Sequence, residues 1–323
     1  MMILAPMQGL TEVLFRKVYS DCFPGDIDYA ISPFLSLTHG NLADACKKIG
    51  DVLPENNMGC MPVVPQVLGK EPEEFVALAN RLGEVVDAAT IPSTQDGKLE
   101  INWNIGCPMR RVAAKHRGSG ILPYPNEIRS VLEYVVPRLQ NTSLSIKMRL
   151  GYYRDDEIFQ IIPILNDYPL HSITIHPRIG KQLYGGQPNL DRLAEVIPLI
   201  RHKIIYNGDI CTVDDYNKIR HRFPSISDVM IGRGVLYDPS LPSKIKGATA
   251  PRSQVFLFVN SLFEAIEQRN IPEVSKMRKT KEYWCLLWKS LGITETQSLQ
   301  VLHAQTLTET RNKIESLMGN CER

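Results

Sequence analysis

KIIYNGDICTVDDYNKIRHRFPSISDVMIGRGV, residues 203–235, reads as a strand, a helix and a second strand. Its two apolar runs, 203–207 and 228–231, are short and carry the β-branched residues that suit strands. Between them, Thr212 followed by Asp214 and Asp215 makes a helix start, with acids placed against the positive end of the helix dipole. A strand that reaches the next through a helix pairs with it in parallel. Each run ends in a glycine-bearing loop, Asn207-Gly208-Asp209 and Gly232-Arg233-Gly234.

The same unit recurs upstream. Further short apolar runs lie at 2–6, 29–34, 63–68, 100–105, 144–150 and 172–176, separated by stretches of helical composition at 11–20, 73–82, 127–139, 157–166 and 190–200. Eight strand–helix units in about 235 residues predict a (β/α)8 TIM barrel, close to the ~250 residues usual for that fold, in preference to an open doubly wound sheet. Nearly every run ends in polar or glycine-bearing residues, which a barrel would gather on one face. Residues 88–98 are expected to be an exposed loop before the fourth strand. The barrel is expected to fill residues 1–241. Pro242, Gly247 and Pro251 then mark a linker, and 242–323 is expected to form a small C-terminal helical domain, with helices at 253–269, 273–290 and 296–318 and Gly292 closing the second.

The 323 residues are 43 % hydrophobic and 22 % charged, a composition that supports a large core. No run approaches the ~20 apolar residues of a membrane span and no basic leader precedes residues 1–4, so a cytoplasmic protein without a membrane partner is expected. The seven cysteines show neither Cys-x-x-Cys pairs nor a His cluster at zinc spacing, which argues against a disulfide framework or a metal; most are expected to be buried. A net charge of +2 gives no global signal for nucleic acid, so any such surface must be local. One candidate is Lys276, Arg278, Lys279 and Lys281 in the helical part; another is Arg110, Arg111, Lys115, His116 and Arg117. Such runs are either solvated faces or grips on a phosphate backbone.

Several residues are candidates for chemistry. Gly208, Gly232 and Arg233 follow the seventh and eighth strands, where barrels commonly hold a phosphate, although the same glycines would serve plain tight turns. Lys147 and Arg149 share one face of an apolar strand; they either meet an anion or extend out at the strand end. His176 is open between functional and structural roles. Gln66 ends the third strand, where it could pair with the amide edge of a planar ring. Cys107, in Asn104-Ile105-Gly106-Cys107-Pro108, is either an inert buried thiol or a proton donor.

Together these residues resemble the tRNA-dihydrouridine synthase family, FMN-dependent barrels with a C-terminal helical domain. The resemblance rests on Ala5-Pro6-Met7-Gln8-Gly9, Gln66-Val67-Leu68-Gly69, the motif around Cys107, Lys147-Met148-Arg149-Leu150-Gly151, His176-Pro177-Arg178, Asn207-Gly208-Asp209-Ile210 and Ile231-Gly232-Arg233-Gly234, in order along almost the whole chain. It implies reduction of a uridine C5=C6 bond in tRNA, with hydride from FMN N5 to C6, a proton from Cys107 to C5, and NADPH as reductant. Pro6, Met7, Gln8 and Gln66 would contact the flavin, with Lys147 at its N1–C2 edge. His176, Asn207, Gly208, Asp209, Gly232 and Arg233 would complete the FMN site. Asn104, Arg178 and Tyr184 would face the base, and Arg278 and Lys279 would grip the tRNA of a monomeric enzyme. The alternatives are an FMN barrel acting on a small pyrimidine and a non-catalytic RNA-binding protein of the same fold. The chain departs from the family pattern at Asn102, usually Asp, at Pro177 and Ile179, usually Gly and Thr, and at His116-Arg117-Gly118, usually Gly-Ala-Gly.

Overall fold

Each apolar run before residue 241 becomes a strand in the computed structural model, which describes residues 1–36, 48–86 and 97–321. The strands are β1 (Met2–Leu4), β2 (Tyr29–Ile31 with Leu35–Ser36), β3 (Val63–Val64 with Gln66–Leu68), β4 (Leu99–Ile105), β5 (Thr142–Gly151), β6 (Ile173–Ile179), β7 (Ile204–Asn207) and β8 (Asp228–Ile231). All neighbours pair in parallel, and β8 returns to β1 through Met2↔Val229, so the ring closes. The expected continuous third strand is broken at Pro65, which has no amide hydrogen for the ladder. Across the break the Gln66 amide donates to the Ser32 hydroxyl at 3.1 Å instead of to a carbonyl. Most of the loop expected at 88–98 lies outside the described residues.

The barrel helices are α1 (Val13–Cys22), α2 (Pro72–Val85), α3 (Pro125–Val135), α4 (Ile158–Asn166), α5 (Leu190–Val196) and α6 (Val213–Arg222). Thr212 caps α6 by accepting from the Asp215 amide, and the Asp215 carboxylate accepts from the amides of Thr212 and Cys211. Three amide donors at the helix start are thereby satisfied.

The C-terminal helices are α7 (Arg252–Glu267), α8 (Glu273–Leu287), α9 (Glu295–Leu302) and α10 (Leu307–Cys321). Gly292 closes the α8 region at φ +69, a left-handed position that glycine takes without strain. One expected helix, 296–318, is two. The Lys281 ammonium donates to the carbonyls of Leu302 and Ala304, ending α9, and the Thr306 hydroxyl accepts from the Glu309 amide to start α10. The linker also begins later than expected: a short helix at Leu241–Ile245 buries Leu241, Pro242 and Ser243. The helices are not a loose appendage. Phe15 and Tyr19 of α1 and Phe23, which follows it, pack around Phe258 of α7, and Phe15 stacks on Tyr283 of α8 at 6.0 Å. Among the described residues no helix is long and apolar enough to cross a membrane, and no group of three or more His, Cys, Asp or Glu side chains could hold a metal ion.

Candidate active site

The carboxyl ends of the strands surround a cavity of about 590 Å³. Of the residues singled out in the sequence, it is lined by Pro6, Met7, Gln8, Asn104, Cys107, Lys147, His176, Tyr184, Asn207, Gly208, Asp209, Gly232 and Arg233. Seven different strands or their following loops contribute, which is the construction expected of this barrel face. Arg149, Arg111, Met109, Cys211 and Leu286 also line it. Cys211 sits half-buried there. Among the described cysteines only Cys22 is buried, against the expectation for most of them.

Electrostatics divide the cavity. Arg111, Lys147, Arg149 and Arg233 face it against the single carboxylate of Asp209. Burial, with the nearby Arg149 charge, draws the Lys147 ammonium down to about 7. No protein group among the described residues accepts a hydrogen bond from it. Burial likewise lowers Arg149 to about 10, and its guanidinium is fixed by the carbonyls of Gly106, at 3.1 Å, and Ile179, at 2.8 Å. His176 is held well below its ordinary value by burial and by Lys147, Arg149, Arg178 and Arg233. It is therefore neutral, and its Nε2 accepts from Arg178 at 3.0 Å, leaving the proton on Nδ1. A cavity with a surplus of cations, one of them unpartnered, fits an anionic ligand.

Two glycines form close walls. A Cβ on Gly208 would lie 3.1 Å from the Tyr206 hydroxyl and 3.3 Å from the His176 ring; one on Gly232 would lie 3.2 Å from the Ala5 Cβ and 3.3 Å from the Met7 sulfur. Glycine keeps backbone accessible at these two loops, as phosphate binding requires.

Three expected contacts are placed differently. Gln66 is fully buried and lies outside the cavity lining. Its amide oxygen accepts from Asn104 at 2.8 Å and its nitrogen donates to Asn102 at 2.7 Å, so it supports Asn104 instead of presenting an edge to a ring. Arg178 is also buried, and all five of its N–H donors are committed, to His176, Asp209, Gly185 and Gly186. It holds Asp209 and the 185–186 turn and lies outside the cavity lining. Lys279 donates to the Gly9 carbonyl and to Glu282 at 2.8 Å, while Arg278 is exposed. Lys276 and Lys281 are spent on carbonyls as well, so the cluster has one freely exposed member.

Cys107 is held from two sides. The Asn104 side chain accepts from the Gly106 and Cys107 amides at 3.0 and 2.9 Å, and the Cys107 carbonyl receives both the amide and the hydroxyl of Ser119. Burial pushes its thiol up, against smaller opposing effects of the Met109 backbone, Lys147 and Arg149. A thiol in that state stays protonated at neutral pH and suits a proton donor. Beneath it, Gly118 sits at φ +54, where a Cβ would meet the Cys107 carbonyl at 2.6 Å and its Cβ at 2.9 Å. Gly118→Ala is expected to cost about 2–4 kcal/mol through left-handed strain and overpacking. Denaturant unfolding checks this; an unchanged midpoint would mean the loop gives way freely.

A closed parallel barrel with a cation-lined cavity at the carboxyl ends of its strands has the build of a barrel enzyme, and the charge of that cavity fits an anionic ligand. The dihydrouridine synthase family model matches residues 3–285. The chain belongs to that family. It is 29% identical over 256 residues to the tRNA-dihydrouridine(16) synthase of Ralstonia nicotianae, covering 77% of this chain and 73% of that one. It is 30% identical to the protein of the same name from Cupriavidus necator, covering 76% and 73%. A probable tRNA-dihydrouridine synthase of Staphylococcus aureus is 25% identical over 323 residues, covering 96% and 90%. Among solved structures, the old yellow enzyme homologue from Zymomonas mobilis shares 12% identity and a TM-score of 0.50 over 77% of this chain and 89% of that one, a likeness of fold alone.

Proposed function

We propose that the protein is a tRNA-dihydrouridine synthase that holds FMN in the barrel cavity and uses NADPH as reductant. The observation that carries this reading is that a protonated thiol, Cys107, and an unpartnered ammonium, Lys147, face one cation-rich cavity at the barrel mouth. Bound FMN would supply hydride from N5 to C6 of the uracil, having been reduced by NADPH. Pro6, Met7 and Gln8 would flank its ring. Lys147 would neutralise charge at the N1–C2 edge, and His176, Asn207, Gly208, Asp209, Gly232 and Arg233 would hold the ribityl chain and phosphate.

Cys107 gives its Sγ proton to C5, so hydride and proton together saturate the C5=C6 bond. The target base has to leave its stack to reach this cavity. The half-exposed Tyr184, whose ring lies 5.5 Å from the Arg149 guanidinium and 5.3 Å from that of Arg233, would receive it at the mouth, and the buried Asn104 would meet it with the amide hydrogen that Gln66 leaves free. The helical segment, through exposed Arg278, and the basic loop of Arg110 and Arg111 meet the RNA backbone.

The experiment is to map dihydrouridine in total RNA from cells with and without the protein, scoring position 16 first because several relatives are named for it. Loss of one tRNA dihydrouridine on deletion is expected, and an unchanged map would overturn the assignment. Turnover of free uracil without RNA would instead support a small-pyrimidine reductase. A colourless purified protein would remove the flavin. Arg278→Glu is expected to weaken tRNA binding and to lower the slope of log K against log salt by about one, the signature of a lost phosphate contact. An identical salt dependence would place the RNA elsewhere.

A further inference from the structure

We propose that α8 is a positioning element for the cofactor end of the cavity: Lys279 and Tyr283 clamp the loop after β1, and through it they set how tightly FMN is held. This rests on the FMN reading of the cavity. The loop carries Pro6, Met7, Gln8 and Leu10 into the cavity wall. Internally it is a tight turn, with the Leu10 and Thr11 amides on the Met7 carbonyl at 2.9 and 3.0 Å and the Met7 amide on the Thr11 hydroxyl at 2.8 Å. The carbonyls of Gly9 and Leu10 take no part in the turn's own hydrogen bonds. Both are met by α8: the Lys279 ammonium takes Gly9, and the Tyr283 hydroxyl donates to Leu10 at 2.5 Å.

The fit is specific at Gly9. Its φ of +79 favours glycine, and a Cβ there would lie 3.4 Å from the Lys279 nitrogen. The ammonium is further fixed by Glu282 and lies 5.0 Å from the centre of the Tyr283 ring. Tyr283 is itself anchored by its stack on Phe15. One turn further along the same helix, Leu286 lines the cavity directly. So a helix whose contacts lie 270 and 273 residues away in sequence closes one wall of the cofactor site. Its neighbouring side chain, Arg278, is the one left exposed to RNA. The two roles are divided between adjacent residues.

The test compares Lys279→Met, Lys279→Arg and Tyr283→Phe with wild type and with Arg278→Glu. FMN affinity is read by quenching of flavin fluorescence on FMN-stripped protein, and tRNA affinity is read separately. Hydrogen exchange at the Leu10 and Thr11 amides is followed in the FMN-free protein. Removing either donor leaves a carbonyl unsatisfied, so Lys279→Met and Tyr283→Phe are each expected to raise the FMN Kd by about tenfold and to speed exchange at both amides. Lys279→Arg, which keeps a donor, restores both, and tRNA affinity stays within about twofold of wild type, a change of under ~0.5 kcal/mol. Unaltered FMN Kd and exchange in both donor-removing variants overturn the proposal. So does a loss of tRNA affinity in Lys279→Met equal to that of Arg278→Glu, which would make Lys279 an RNA contact. Failure of wild type to bind FMN would overturn the cofactor reading, and the exchange data alone would then decide the clamp.

Discussion

Cys107→Ala is expected to lower dihydrouridine formation by about 10²–10⁴-fold, the usual worth of a positioned general acid. Flavin content and flavin reduction by NADPH should stay at wild-type levels. The separation follows from where the thiol sits. Its backbone is fixed by Asn104 and Ser119, neither of which needs the sulfur, so truncation removes the proton and leaves the loop in place. Burial keeps the thiol protonated through the neutral range, so the wild-type rate should not fall until the pH rises past the ordinary thiol value. Single-turnover reduction of tRNA by the pre-reduced protein isolates this step from reloading by NADPH. If the alanine variant turned over at the wild-type rate, the proton would have to come from elsewhere, and Cys107 would be one more structural thiol.

The second large effect is expected at Lys147, and it runs in two directions. Lys147→Met removes the one unpartnered ammonium of the cavity, so the anionic reduced flavin should lose about 2 kcal/mol relative to the oxidised form. For a two-electron couple that is a midpoint potential lower by roughly 40 mV. The protein without cofactor should gain stability from the same change. Lys147 in the fold binds its proton less well than a free lysine does, with a pKa of about 7. Between pH 7 and the ordinary lysine range, the unfolded chain therefore holds the extra proton, and wild-type stability rises with pH across that window. Below pH 7 the penalty is at its fullest. Lys147→Met should then melt higher than wild type at pH 6, with the difference shrinking as the pH is raised towards 10. Thermal melts of the FMN-free proteins at pH 6, 8 and 10 decide this. A variant that melts lower at pH 6 would mean that the ammonium has a partner in the fold.

Much of this was legible in the sequence because it depends on short-range pattern. Valine- and isoleucine-rich runs ending in glycine loops specify strands with exposed carboxyl ends, and closing eight of them brings Cys107, Lys147, His176 and Gly232 together whatever the details. What escaped was whether a polar group's hydrogen bonds are already used. Arg178 looks like a substrate contact until the carbonyls of Gly185 and Gly186, the carboxylate of Asp209 and the His176 ring are seen to take every donor. Gln66 looks like a flavin contact until Asn102 and Asn104 occupy its amide. Lys279 belongs to a basic run in sequence and to the Gly9 carbonyl in space. In each case the decisive partner comes from another element, and no local spacing announces it. Leu286 left no sign at all, since its helical periodicity marks only a core-facing residue.

The row of amides under Cys107 has a direction. Asn104 donates to Gln66, Gln66 to Asn102, and Asn102 to the Ser145 hydroxyl at 2.8 Å, so each group is told which end to turn up by the one below it. The last member is a rotor. A hydroxyl accepts or donates with equal ease, so an aspartate at position 102 would still accept from Gln66 while Ser145 turned its hydrogen to meet the second carboxylate oxygen. The hydrogen bonds above Gln66 would keep their directions. The departure at Asn102 from the usual family residue therefore leaves the row's orientation intact: a single rotatable hydrogen at its foot absorbs the change in hydrogen bonding, and what an aspartate would add at this buried position is its charge.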